Sequence, residues 1–94
     1  MGRNLKVLVH GSGYAGQGHA EAFRAASVEV AGMVGRTESV VADVADRMAI
    51  PYAGTDWDAA LVACKPDIVS IATPGGAHFE PIRKAISQGC HVFC

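Results

Sequence analysis

Residues 5–18 of this chain read LKVLVHGSGYAGQG, a short apolar run that leads directly into a glycine-rich loop. Within the run, Val7, Leu8 and Val9 are continuously apolar, which is typical of a strand covered on both faces of a parallel sheet. Beyond the glycines, apolar positions recur at helical spacing, at Ala15, His19, Ala22, Phe23 and Ala26. The stretch therefore predicts a buried strand, a tight turn and a helix in immediate succession.

The same alternation of strand and helix patterns continues to the end of the chain. Short apolar runs predict strands at residues 5–9, 28–34, 68–72 and 91–94, with a minor edge strand at 51–53. Amphipathic spacing predicts a helix at residues 38–49 and another that runs from Phe79 to a terminal Gly89. A further helix is predicted after Thr55, which can cap it, and Asp56 and Asp58 are also assigned a capping role at its start. We therefore predict the α/β class, with a doubly wound parallel sheet of about four main strands and a minor edge strand.

Length and composition limit the classes of function. The chain has 94 residues, half of them hydrophobic, which is enough for one domain. Eight lysines and arginines stand against nine aspartates and glutamates, so neither a nucleic-acid partner nor disorder is expected. No apolar run approaches the roughly 18 residues of a membrane helix, and no secretory signal is recognisable. We expect a cytoplasmic protein with no membrane partner.

Neither the cysteines nor the histidines form a recognisable ligand set. Three cysteines without a CxxC pair argue against a disulfide framework and against a structural zinc site. Cys90 and Cys94 are expected to be buried as small hydrophobic residues. His19, on the apolar face of the first helix, is expected to be a packed and hydrogen-bonded histidine rather than a ligand. We assign no metal site and no catalytic residue.

The glycine loop matches the pattern G-x-G-x-x-G in the context where that pattern binds dinucleotides. Gly11 allows the tight turn, Gly13 lets a pyrophosphate approach the backbone, and Gly16 lets the helix pack closely on the sheet. The free N–H groups and partial positive charge of the helix start then hold the anion. We expect a Rossmann-type cofactor site whose first part is Gly11, Ser12, Gly13, Tyr14, Ala15 and Gly16. The alternative is that the glycines only shape a tight turn.

The residues at the end of the second strand bear on the choice of cofactor. An acidic residue about 20 positions beyond the glycines commonly binds the ribose of NAD. Here Gly35, Arg36 and Thr37 occupy that place, without a carboxylate. Arg36 offers a planar cation suited to a phosphate, Gly35 leaves space, and Thr37 adds a hydroxyl. This predicts a preference for NADP, with NAD as the other possibility. The alternative is that Arg36 is a solvated loop residue.

The chain resembles the N-terminal NAD(P)-binding domain of the Gfo/Idh/MocA oxidoreductases over essentially its whole length. The resemblance rests on the glycine loop with Gly18-His19-Ala20, on residues 67–74 (DIVSIATP) followed by His78, and on residues 85–94. It implies that Thr73 and Pro74 line the cofactor cleft near the nicotinamide. With them we count Ala72 and His78 as candidate cofactor contacts, and His78 is the best candidate for a contact on the substrate side.

The resemblance also implies an activity for the parent protein. Family members transfer hydride between a nicotinamide cofactor and a sugar, an inositol or a related hydroxyl or carbonyl compound. The chain stops before the family's Glu-Lys-Pro segment, so we expect residues 1–94 to be a dinucleotide-binding domain without the substrate domain. Such a fragment of a dehydrogenase is expected to be inactive alone. The alternatives are a stand-alone nucleotide-binding module and a truncated sheet that forms a homo-oligomer through its last strand.

Overall fold

The computed structural model describes residues 4–73 and 79–94, in which strands and helices alternate along the chain. The strands are β1 Lys6–His10, β2 Glu29–Val34, β3 Tyr52–Gly54, β4 Ile68–Ile71 and β5 His91–Phe93. The helices are α1 Tyr14–Ala25, α2 Glu38–Arg47, α3 Trp57–Cys64 and α4 Phe79–Ser87. The strands form one parallel sheet in the order β3-β2-β1-β4-β5. The predicted doubly wound α/β sheet is confirmed.

The helices cover both faces of the sheet, and this explains the continuously apolar strands. Val7 and Val9 of β1 pack with residues of α1 and α2 on one face. Leu8 packs with Val69 and Ile71 against α3 and α4 on the other face. All three central residues of β1 are fully buried. The strand is apolar at successive positions because neither of its faces meets water.

Helices α2 and α4 are each followed by a residue in the left-handed conformation. Helix α2 stops two residues before the predicted end because Ala49 has a φ of 56° and the N–H of Ile50 donates to the carbonyl of Ala45 at 2.8 Å. This is the Schellman arrangement, which satisfies carbonyl groups at the helix end. The predicted end of α4 is confirmed, because Gly89 has a φ of 81° and the N–H of Cys90 donates to the carbonyl of Ala85.

Helix α1 packs on the sheet through smaller residues than its predicted stripe. Its buried residues are Gly16 and Ala20, which the predicted stripe lacks. Of the predicted stripe, His19 and Phe23 are half-buried against the sheet, whereas Ala15, Ala22 and Ala26 are exposed. At Gly16 and Ala20 the helix lies very close to the sheet, where only the smallest side chains fit. Periodicity of large apolar residues does not reveal such a face.

Predictions about individual side chains have mixed outcomes. The capping role of Asp56 is confirmed, because its carboxylate accepts a hydrogen bond from the N–H of Ala59 at 3.2 Å, whereas the cap predicted at Thr55 is wrong. The predicted burial of Cys90 and Cys94 is also wrong. Cys94 is exposed and Cys90 is half-buried, because β5 is an edge strand that α4 covers only in part. None of the helices in the described ranges has the length and apolar character needed to cross a bilayer.

Candidate functional site

A cavity of about 390 Å³ opens at the carboxyl end of the sheet. It lies where β1, β2 and β4 end and α1 begins, which is the point where successive strands are added on opposite sides of β1. Doubly wound sheets bind their ligands at this topological switch point. The residues that line the cavity are His10, Gly11, Ser12, Gly13, Gly35, Arg36, Thr55, Ala72 and Thr73.

Gly11 and Gly16 close the turn from β1 into α1. Gly11 has a φ of 124°, and its N–H donates to the carbonyl of Val34 at 2.7 Å. A Cβ on Gly11 would lie 3.1 Å from the backbone of Ala72, and a Cβ on Gly16 would lie 1.9 Å from the carbonyl oxygen of Gly11. Both positions therefore require glycine for steric reasons, and the backbone alone forms this side of the cavity.

Gly13 leaves the start of α1 open toward the cavity. It is the N-cap residue of the helix and makes no side-chain capping hydrogen bond, and the first turn carries no acidic residue. A Cβ at Gly13 would meet nothing within 4 Å. The amide groups and positive dipole of the helix start are thus available to an external anion, with space beside them. The cradle fits the diphosphate of a dinucleotide.

The second side of the cavity follows the ends of β2 and β3. Ser12 packs beneath Gly35, where a Cβ would lie 2.5 Å from the Ser12 hydroxyl oxygen. The N–H of Gly35 donates to the carbonyl of Gly54 at 3.0 Å, which holds the two strand ends side by side. Arg36 and Thr55 come next along these strands and both are exposed. The guanidinium group of Arg36 gives this side of the cavity a positive charge.

The third side is formed by the ends of β1 and β4. The carbonyl of His10 accepts a hydrogen bond from the N–H of Ala72 at 2.8 Å, so β1 and β4 stay paired up to the edge of the cavity. The His10 ring packs edge-on against Trp57 with ring centroids 4.7 Å apart. Ala72 and Thr73 continue this wall, where the family resemblance implied a cofactor contact.

The structure brings most of the predicted site residues together, but not all of them. Gly11, Ser12, Gly13, Gly35, Arg36, Ala72 and Thr73 line the same cavity. Tyr14, Ala15 and Thr37 are exposed outside it, and Gly16 is buried in the turn. Tyr14 is 95% exposed because it begins α1 on the side that faces away from the sheet. The remaining predicted contacts, Pro74 and His78, lie outside the described residues.

Sequence reasoning did not include His10 and Thr55 in the site. Thr55 was interpreted as a helix cap, although it directly follows β3. Because the carboxyl ends of parallel strands meet at one edge, the position of a polar residue just after a strand was the signal available. Over residues 4–73 and 79–94, no three histidine, cysteine or acidic side chains are grouped to hold a metal ion.

The thiols are poor candidates for chemistry at this site. Burial raises the pKa of the Cys64 thiol, with nearby Lys6 acting weakly in the opposite direction. Burial also raises the pKa of the Cys90 thiol, and Asp67 adds to this effect. Both thiols therefore remain protonated at neutral pH, and neither lines the cavity.

The sheet order, the glycine turn and the open helix start together define a Rossmann-type nucleotide-binding domain. The chain belongs to the Gfo/Idh/MocA oxidoreductase family, whose NAD-binding Rossmann fold model matches residues 5–94. It is the NAD-binding domain of that family.

Individual relatives agree with this assignment. The chain is 36% identical over 73 residues to D-xylose 1-dehydrogenase (NADP(+)) 2 of Haloferax volcanii, covering 78% of this chain and 22% of that protein. It is 46% identical over 41 residues to D-glucoside 3-dehydrogenase of Escherichia coli, covering 40% of this chain and 12% of that protein. The crystal structure of GenD2 from gentamicin A biosynthesis in complex with NAD superimposes with a TM-score of 0.87 at 33% identity, covering 98% of this chain and 26% of that one. The chain thus spans about a quarter or less of these proteins.

Proposed function

We propose that residues 1–94 are the cofactor-binding domain of a dehydrogenase that acts on a sugar, an inositol or a related hydroxyl or carbonyl compound. The open glycine cradle at the start of α1 is the observation that carries this proposal. The names of the relatives support the substrate class, because they act on D-xylose and on D-glucosides. When bound, the nicotinamide cofactor supplies the hydride chemistry, and the substrate domain belongs to a part of the parent protein outside this chain.

The residues of this chain bind and orient the cofactor. The backbone at Ser12 and Gly13 and the first turn of α1 hold the diphosphate, because no side chain caps this helix start and a Cβ at Gly13 would meet nothing within 4 Å. Ala72 and Thr73 form the wall on the nicotinamide side. Pro74 and His78 stay proposed cofactor contacts on the basis of the family resemblance alone. None of the 94 residues is assigned a proton-transfer role.

We further propose that the site prefers NADP to NAD. Arg36 follows β2 at the place where an acidic residue would select NAD, and Thr55 lies beyond the neighbouring strand on the same cavity. A guanidinium and a hydroxyl favour a phosphate on the adenosine ribose. A charge-assisted hydrogen bond contributes about 1.5–3 kcal/mol. Because Arg36 is exposed, we expect the lower end of that range, a preference of about tenfold.

The fluorescence of Trp57 gives a direct test. It is the only tryptophan of the sequence, and its ring contacts His10 on the cavity wall. Titration with NADPH and with NADH should give saturable changes, with NADPH binding about tenfold more tightly. Arg36→Ala should remove the difference, whereas Arg47→Ala, which removes an exposed arginine paired with Asp43 on α2, should leave it unchanged. Equal or tighter binding of NADH by the wild type would contradict the preference, and a flat signal with both would contradict the site.

A further inference from the structure

A buried hydroxyl lies in the sheet directly behind the cavity wall. Ser70 of β4 is 0% exposed, and in the described ranges it is the one fully buried serine, threonine, amide or charged residue. It lies between β1 and β5, opposite Val9 and Phe93. A buried hydroxyl without a hydrogen bond costs about 1–3 kcal/mol, so its partner is structurally significant.

The partner of Ser70 is His19 on helix α1. The Nδ1 atom of His19 is hydrogen-bonded to the Ser70 hydroxyl at 2.6 Å, across 51 positions of sequence. The imidazole is also packed edge-on against the ring of Phe93, with centroids 5.4 Å apart, and Phe23 packs on the other side of Phe93. The expectation of a packed, hydrogen-bonded histidine is confirmed. Both its hydrogen bond and its ring packing restrict its orientation.

The pair joins the two elements that carry opposite walls of the cavity. His19 lies six residues beyond Gly13, or ~9 Å along helix α1. Ser70 lies two residues before Ala72, or ~7 Å along strand β4. The buried residues of α1 are Gly16 and Ala20, and Phe23 packs on Phe93, but these apolar contacts carry no direction along the strand. A directional hydrogen bond at this place fixes the helix along the strand.

We propose that His19 and Ser70 form a positioning pair that sets the width of the cofactor cleft. By fixing α1 against β4, the pair holds the diphosphate cradle at Gly13 at a defined distance from the nicotinamide wall at Ala72. This inference rests on the proposed function, because the cleft width matters for a dinucleotide that spans both walls. The pair does not contact the adenosine side, so it acts on NADPH and NADH alike.

Three substitutions separate the hydrogen bond from the ring packing. His19→Asn keeps a polar atom near the position of Nδ1 and loses the ring contact with Phe93. His19→Phe keeps a ring against Phe93 and loses the hydrogen bond. Ser70→Ala removes the hydroxyl with a small change of volume. His19→Phe alone leaves the buried Ser70 hydroxyl without its hydrogen-bond partner, which can prevent folding. The double variant His19→Phe/Ser70→Ala removes that hydroxyl as well, so we expect it to fold even if His19→Phe does not.

Nucleotide affinity is measured by Trp57 fluorescence, with thermal unfolding recorded for each variant. We expect His19→Phe and Ser70→Ala each to weaken NADPH and NADH by the same factor, about 3- to 10-fold, with His19→Asn within about twofold of wild type. The double variant should be no weaker than the single ones, because the pair acts as a unit. Variants that lower the melting temperature but bind both nucleotides like the wild type would overturn the proposal.

The unliganded chain provides an independent readout. Measured by NMR without nucleotide, the amide chemical shift of Gly13 should change in Ser70→Ala and that of Ala72 should change in His19→Phe, because each amide lies on the element opposite the substitution. Both shifts should remain near wild type in His19→Asn. Changes confined to the neighbours of residues 19 and 70 would overturn the proposal. If the wild type binds neither nucleotide, the proposed function fails, while these shifts still decide whether the pair positions the two walls.

Discussion

Alanine at Gly13 should weaken nucleotide binding without a loss of stability, whereas alanine at Gly16 should lower stability. Gly13 has a φ of −79°, which alanine adopts freely, and a Cβ there meets nothing within 4 Å. Gly13→Ala should therefore leave stability within about 0.5 kcal/mol of the wild type, because the gain of about 0.4–1 kcal/mol from restricting the unfolded chain is offset by the preference of the N-cap position for glycine over alanine. The new methyl group would occupy the space beside the helix start. We expect the affinity for NADPH and NADH to fall about tenfold or more.

Unlike Gly13, Gly16 has no room for a side chain. A Cβ there would lie 1.9 Å from the carbonyl oxygen of Gly11, about 1.5 Å short of ordinary contact, and that oxygen belongs to backbone. Alanine improves helix propensity by about 1 kcal/mol. Because the overlap is with backbone, it forces α1 away from the turn at a cost of about 2–3 kcal/mol, the upper end of the range typical of overpacking. We expect Gly16→Ala to be destabilised by about 1–2 kcal/mol, equivalent to a fall of roughly 4–16 °C in melting temperature.

The assay combines urea unfolding with titration of NADPH and NADH on the same preparations. A nucleotide-binding loss without a stability loss at Gly13, and a stability loss at Gly16, would support the roles of both glycines. The reasoning would be refuted by a Gly13→Ala variant that binds NADPH as tightly as the wild type. It would equally be refuted by a Gly16→Ala variant with unchanged stability, since the close approach of α1 to Gly11 would then be absent.

Three further predictions concern stability away from the cradle. Burial raises the pKa of Cys64 above its usual value of 9.0, so the folded state holds the thiol proton more tightly than the unfolded state does. The stability that this provides is fully present below pH 9.0 and is lost as the pH rises above it. In urea unfolding above pH 9.0, the free energy of unfolding of Cys64→Ala should therefore fall less steeply with pH than that of the wild type. Asp56→Ala should cost about 1 kcal/mol in urea unfolding through loss of the α3 cap, whereas Thr55→Ala should change stability by less than about 0.5 kcal/mol. Ala49→Gly should stabilise and Gly89→Ala should destabilise by about 1 kcal/mol, because both occupy the left-handed position after a helix; equal effects of the same sign in thermal unfolding would contradict this.

Local patterns in the sequence were sufficient for the element order and for the glycine turn that opens α1. Val7, Leu8 and Val9 indicate a doubly covered strand, and the glycines after them have steric roles that depend on near neighbours in the chain. Gly11 and Gly16 are five positions apart, so their contact follows from the turn itself. These are short-range consequences of backbone geometry, and a single sequence carries them directly.

The strand bounds differ from the predictions by one residue at several ends, because pairing with neighbouring strands sets them. The run at residues 5–9 is apolar, but the paired strand is Lys6–His10, because the ladder to β2 and β4 sets its limits. Pairing partners come from distant parts of the chain. Hydrophobicity shows that a strand exists, whereas hydrogen bonding to its neighbours decides where it begins and ends.

The sequence alone therefore determined the α/β alternation, the parallel sheet and the place of the open glycine turn, because these depend on periodicity and on the steric freedom of nearby glycines. Only the tertiary structure placed Thr55 beside Arg36 and joined His19 to Ser70. Those neighbours depend on the order in which strands are added to the sheet and on how closely a helix approaches it. No local pattern of residues encodes either quantity, because each arises from packing between segments that are far apart in the chain.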